Sequence, residues 1–86
     1  MRHARAEALD ALEPLLAQLR ALPGLTEKSR GTFYRKSRAF LHFHEDPKGL
    51  FADIRAGDGA DFDRFDVTTA AGADALIATA EAGLKA

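Results

Sequence analysis

The stretch Thr32 to Arg55, TFYRKSRAFLHFHEDPKGLFADIR, constrains this chain more than any other part of it. Three apolar and aromatic runs are interrupted by Lys36-Ser37 and by Asp46-Pro47-Lys48-Gly49, a pattern that strands punctuated by turn residues produce. It predicts a three-stranded antiparallel meander. Four of the six phenylalanines (Phe33, Phe40, Phe43, Phe51), the sole tyrosine (Tyr34) and two of the three histidines (His42, His44) fall within it, so the core and any site are expected to be built on it.

The second interruption has the chemistry of a type I turn, with Asp first, Pro presetting φ in second place and Gly last. A four-residue loop over Asp46 to Gly49 sets Glu45 opposite Leu50, Phe43 opposite Ala52 and Leu41 opposite Ile54. A bulge at Gly49 would instead shift the pairing by one residue and exchange every cross-strand partner. The loop gathers Ala39, Leu41, Phe43, Leu50, Ala52 and Ile54 on one side, and hydrophobic matching therefore favours it. The opposite face then carries Phe40, His42 and His44 beside Phe51, Asp53 and Arg55. A two-residue Lys36-Ser37 turn, although it lacks the Gly or Asn such turns prefer, would add Phe33 opposite Phe40. Leaving three phenylalanines in water forgoes roughly 1.5–3 kcal/mol each. Phe33, Phe40 and Phe51 are therefore expected to form an interface with a second copy of the chain.

Size supports the same expectation. A chain of 86 residues hides only about 60–65% of its unfolded surface, so a single domain over 1–86 gains from association. Absence of cysteine excludes disulfides, thiolate ligands and a thiol nucleophile, and fits a cytoplasmic protein. No N-terminal run has the form of a signal peptide, and no stretch approaches the roughly 18 apolar residues of a membrane span. Net charge is only −1, yet residues 1–38 hold eight Lys/Arg against four Asp/Glu whereas residues 39–86 hold four against nine. Mutual neutralisation within the fold is the simpler reading of that split.

Leu9, Leu12, Leu16 and Leu19, flanked by Leu15 and Leu22, recur at helical spacing and predict a helix starting near Arg5 or Asp10 and ending at Ala21, before Pro23-Gly24. Asp10 and Glu13 have the spacing of a capping box, and Pro14 either lies in the first turn or kinks a longer helix. Leu25 to Gly31 reads as a polar connection. After the meander, Ala56 to Ala60 reads as a loop, Asp63 to Val67 as a short fourth strand with Phe65 and Val67 inward, and Phe62 as a lid on one end of the core. A second helix follows over about Ala70 to Leu84, capped by Thr68 or Thr69. Its stripe is Ala73, Leu76, Ile77, Ala80 and Leu84. The fold class is therefore α+β, in the order α-β-β-β-(β)-α, with both helices mainly on one face of the sheet.

Three chemistries present themselves. Lys28, Arg30, Arg35, Lys36 and Arg38 cluster about the first hairpin with Tyr34 among them, and cations with aromatic rings suit phosphates and bases. Tyr34, Arg35, Lys36 and Arg38 would be the binding residues. The RNP pattern of RNA-binding sheets is missing, and charge that protects an edge strand explains the cluster equally well. Secondly, His42 and His44, two apart on a strand, point the same way; with Asp53 opposite His42 they form a candidate metal set of two imidazoles and a carboxylate. The plainer alternative hydrogen-bonds His42 to Asp53 and packs His44 on Phe51. Thirdly, His42 oriented by Asp53 has the makings of a general acid or base, but Ser29 and Ser37 occupy unrelated loops with no nucleophile elbow. Asp58, Asp61, Asp63 and Asp66 lack the spacing and terminal Glu of a calcium loop.

The segment Leu22-Pro23-Gly24-Leu25-Thr26-Glu27, followed by an aromatic strand and a basic hairpin, resembles the start of the MmcQ/YjbR-like small bacterial proteins, over Leu12 to Arg55. That resemblance implies an α+β fold and a suspected role in DNA binding, with no catalytic residues. The chain departs from the family in lacking tryptophan and the later basic segment. The leading expectation is a non-catalytic, homodimerising cytoplasmic module that needs no cofactor and touches no membrane, with nucleic acid a less favoured partner.

Overall fold

The longest run of alternating residues in the chain, Arg38–Asp46, becomes the spine of the sheet. A computed structural model describes residues 1–55 and 61–85. In chain order the elements are β1 (Arg2–His3), α1 (Ala6–Ala11), α2 (Glu13–Arg20), β2 (Thr26–Ser29), β3 (Thr32–Arg35), β4 (Arg38–Asp46), β5 (Gly49–Ile54), β6 (Asp63–Asp66) and α3 (Ala70–Lys85). The fold is α+β, with antiparallel strands in the order β2-β3-β4-β5-β6. On one edge of β4, β3 pairs as far as Leu41, and β1 takes over at His44 and Glu45. The loop expected over Ala56 to Ala60, with Asp58, lies outside the described residues. Among the described residues, no helix is long and apolar enough to cross a membrane.

The β4–β5 register is the one hydrophobic matching favours: Leu41 faces Ile54, Phe43 faces Ala52 and Glu45 faces Leu50. Asp46 holds the turn by accepting a hydrogen bond from the Lys48 N–H on Oδ1 at 3.0 Å. Leu41, Phe43, Ala52 and Ile54 pack with Leu12, Leu16 and Leu19 from the first helices and with Leu76 and Ala80 from α3. Both helical layers therefore cover the same face of the sheet.

The other hairpin corrects one expectation. Lys36 and Ser37 do form a two-residue turn, at φ 52° and 67°, a left-handed conformation that costs non-glycine residues roughly 1–2 kcal/mol each. Arg35 pairs with Arg38 and Tyr34 with Ala39, but Phe33 pairs with Leu41, leaving Phe40 as an extra residue on β4. Such a bulge moves the following side chains to the opposite face. Phe33 thus joins Leu41 in the core at 1% exposure, and Phe40 turns inward at 4%. Neither belongs to an open aromatic face. Of the interface expected from Phe33, Phe40 and Phe51, only Phe51 stays partly exposed.

The leucine stripe is buried as its spacing predicts, but on two short helices that break at Leu12. Pro14 explains the break, because it has no N–H and its ring crowds the carbonyl four residues earlier. Asp10 and Glu13 form no capping box: Arg30 donates to Asp10 Oδ1 and to Glu13 Oε2, each at 2.8 Å. Thr69 caps α3 by accepting from the Gly72 N–H at 3.3 Å. Thr68 Oγ1 instead accepts from the Leu50 N–H at 2.9 Å.

Strand β2 occupies what reads in sequence as a connection. It is polar on both sides, and its inward residue Glu27, opposite Phe33, is accommodated because Arg20 Nε donates to Oε1 at 2.6 Å and the Gly31 N–H donates to Oε2 at 2.9 Å. Arg20 also reaches Glu13. Arg20 holds the Glu27 carboxyl below the usual range, burial opposes it, and the Gly31 N–H assists. A depressed carboxyl pKa contributes stability that is present above the ordinary value of about 4.3 and lost as the pH falls through the lower folded value. Glu27→Gln should therefore flatten the loss of stability on acidification, read as the urea midpoint between about pH 6 and about pH 3. An acid limb as steep as the wild type's would assign the loss to other groups.

Candidate metal-binding face

Opposite the helices, the sheet presents a face whose centre is histidine. His42 and His44 project from β4 two residues apart, as strand alternation requires. The third histidine arrives from β1, where His3 pairs with His44. Although only two residues long, β1 is secured by an Ala4 N–H to Phe43 O hydrogen bond of 3.1 Å and by Arg5, whose backbone N and Nε both donate to Glu45 Oε1 at 2.7 and 3.1 Å. Ring centroids lie 4.8 Å apart for His42 and His44, 5.0 Å for His3 and His44, and 5.8 Å for His3 and His42. Each residue can offer one ring nitrogen such that all three lie within 4.8 Å of one another.

Asp53 lies directly across from His42 in the register, yet its carboxylate serves other groups. Arg64, its partner on β6, donates from Nε to Oδ1 at 2.8 Å and from Nη2 to Oδ2 at 2.9 Å. His44 Nε2 sits 3.1 Å from Oδ2. The Arg64 guanidinium holds the Asp53 carboxyl below its usual range although burial pushes the other way, and the two histidines add to the lowering. Asp53 is thereby a neutralised, 7% exposed group that backs a histidine. It is not among the described groups whose ligand atoms converge, His3, His42 and His44, and both of its oxygens are engaged by the two-pronged arginine contact. The pairing expected between His42 and Asp53 goes to His44 instead, and the oriented acid-base imidazole is accordingly not His42.

A carboxylate beside Nε2 favours the proton on that nitrogen, leaving the lone pair of His44 on Nδ1. Nδ1 of His44 and Nδ1 of His42 are buried and without a hydrogen-bond partner among the described residues. Burial holds the His42 imidazole below the usual histidine range; nearby His44 and His3 push in the same direction, and Asp53 opposes them. Neutral His42 is the form that ligates metal. One side of the cluster is walled by Phe62, edge-on to His42 with centroids 4.9 Å apart. The Arg55 guanidinium carbon stands 4.3 Å from the centre of the same ring. Phe62, expected over an end of the core, thus lies against the histidine face.

The basic hairpin is not assembled into a site of the same kind. Arg35 donates to the carbonyls of Gly83 at 2.6 Å and Leu84 at 3.4 Å, closing the C-terminal end of α3, where a cation is favoured. Lys28 Nζ rests 4.2 Å above the Tyr34 ring. Lys36 and Arg38 are exposed at the hairpin, and Arg30 is committed to Asp10 and Glu13. Sequence reasoning missed His3 and Arg64 because both come from short elements whose pairing partners are distant in the chain.

The fold and this face together define a small α+β domain with a tri-histidine cluster on the sheet face opposite its helices. No protein-family model matches the chain, and no curated protein or solved structure matches it at a significant level.

Proposed function

We propose that this protein binds a divalent transition metal through His3, His42 and His44, with Asp53 as the outer carboxylate that orients His44. The observation that carries the reading is the convergence of three ring nitrogens within 4.8 Å. Three imidazoles favour zinc, copper, nickel or cobalt over the oxygen-seeking magnesium and calcium. A carboxylate behind a ligating histidine is the usual outer support of such sites. Two nitrogens on one zinc ion stand at most about 4.2 Å apart, twice a bond of about 2.1 Å, so the cluster closes slightly around an ion. His3, exposed on a two-residue strand, is the ligand best able to move. The homodimer reading loses its main support now that Phe33 and Phe40 fill the protomer's own core. The nucleic-acid reading loses Arg35 to the end of α3.

Metal content settles the matter directly. Protein dialysed with Zn2+ and then freed of excess should retain one ion per chain by elemental analysis, and His42→Ala/His44→Ala should retain none. Bound zinc should also raise the melting temperature, since ligand at about 100 times Kd stabilises the folded state by about 2.7 kcal/mol. A wild type without zinc, or a double variant with as much zinc as wild type, would sink the proposal.

A further inference from the structure

The charge around the cluster is unbalanced, and the imbalance specifies a second ligand. Resting on the metal reading above, we infer that the ion's remaining position takes a small anion of the carboxylate or phosphate class, held in part by Arg55. Three protein ligands leave one place open on a four-coordinate ion. All three ligands are neutral imidazoles, so none of the ion's charge is cancelled by the groups that hold it. The nearby carboxylate of Asp53 is occupied by the two-pronged contact from Arg64. Asp66, on the same side of β6, accepts the Thr68 N–H on Oδ1 at 2.9 Å. The ion would therefore carry close to its full positive charge within a partly dry surface, where electrostatic attraction is strong.

Arg55 supplies an independent observation. Its Nε is buried and has no hydrogen-bond partner among the described residues. Leaving a buried donor unmade is unfavourable, more so for a charged group, and an anion drawn in beside it removes that cost. Arg55 stacks on Phe62, the ring that also meets His42 edge-on, and lies two residues beyond Asp53 along the chain, on the same face, so the guanidinium borders the histidine cluster. Arginine suits the task, because its planar fork matches carboxylate and phosphate oxygens. Metal charge, a guanidinium Nε without a hydrogen-bond partner among the described residues and a flanking aromatic wall make a compact anion pocket on the sheet face.

Cobalt tests the inference and separates it from the metal proposal. Co2+ loaded into the protein in a non-coordinating buffer reports its ligand set by visible absorption, and azide, acetate and inorganic phosphate are then titrated in turn. Saturable spectral change with at least one of them is expected. Arg55→Gln should weaken that anion's binding about tenfold or more, the loss of one charge-assisted hydrogen bond, while leaving Co2+ affinity within about twofold. Arg55→Lys, which keeps the charge but not the fork, should fall between the two and serves if the glutamine variant does not fold. Cobalt bound with a spectrum that none of the anions alters overturns the inference alone. So does equal anion affinity in wild type and both Arg55 variants. Failure to take up Co2+ at all overturns the metal reading, and the anion pocket with it.

Discussion

Phe33→Ala is expected to lower stability by about 3–5 kcal/mol, the cost of emptying a buried phenylalanine site. At roughly 0.05–0.15 kcal/mol per residue, a chain of this length holds about 4–13 kcal/mol in all, so the variant should lose a large share of its stability. The ring is 1% exposed and packed in the core against the leucines of the first helices. Phe51→Ala, at a partly exposed position on the other face, should cost less than about 1.5 kcal/mol. Urea midpoints of the two variants measure the contrast. Were Phe33 part of an interface between copies, its loss would instead yield a stable monomer, visible by sedimentation. Equal, small costs at both positions would contradict the bulge at Phe40 that turns Phe33 inward.

Gly72→Ala should destabilise the protein by about 1–3 kcal/mol or more, as overpacking does, even though Gly to Ala within a helix ordinarily gains up to about 1 kcal/mol. A Cβ built at Gly72 would land on the backbone carbonyl oxygen of Asp66. That carbonyl has nowhere to go, because Asp66 pairs with Phe51 in the sheet and its own side chain holds the Thr68 N–H. Gly72 is the third residue of α3, whose N–H is bound by Thr69, so the helix cannot retreat without losing its cap. Thermal unfolding of Gly72→Ala beside wild type decides the sign. A raised melting temperature would mean that α3 packs less closely on the end of β6.

Both predictions concern places where local reading and tertiary contact diverge. In sequence Gly72 looks like a weak end of a helix; its requirement for no side chain arises from a strand six residues earlier. Phe33 and Phe40 follow the alternation of a regular hairpin until one extra residue at Phe40 reverses it, and a bulge leaves no mark in composition. Glu27 hides a strand, because a polar segment reads as a connection until Arg20 is seen to neutralise its inward carboxylate. Likewise the Asp10/Glu13 spacing of a capping box is real, but Arg30, seventeen or more residues away, takes both carboxylates.

What the sequence determined by itself is what neighbouring residues decide. Turn chemistry at Asp46 to Gly49 together with hydrophobic matching fixes the β4–β5 register, down to His42 opposite Asp53. Helical spacing places the leucine stripe and the Leu76/Ala80 face, and strand alternation puts His42 and His44 side by side. The tertiary structure decided everything that needs two distant segments to meet. It brought His3 to His44 through a strand too short to have a pattern, gave Asp53 to Arg64 and His44, and set Phe62 against both His42 and Arg55. Those choices depend on which backbone edges are left to pair and which charges must be neutralised once the core has formed, and no local window of the chain contains that information.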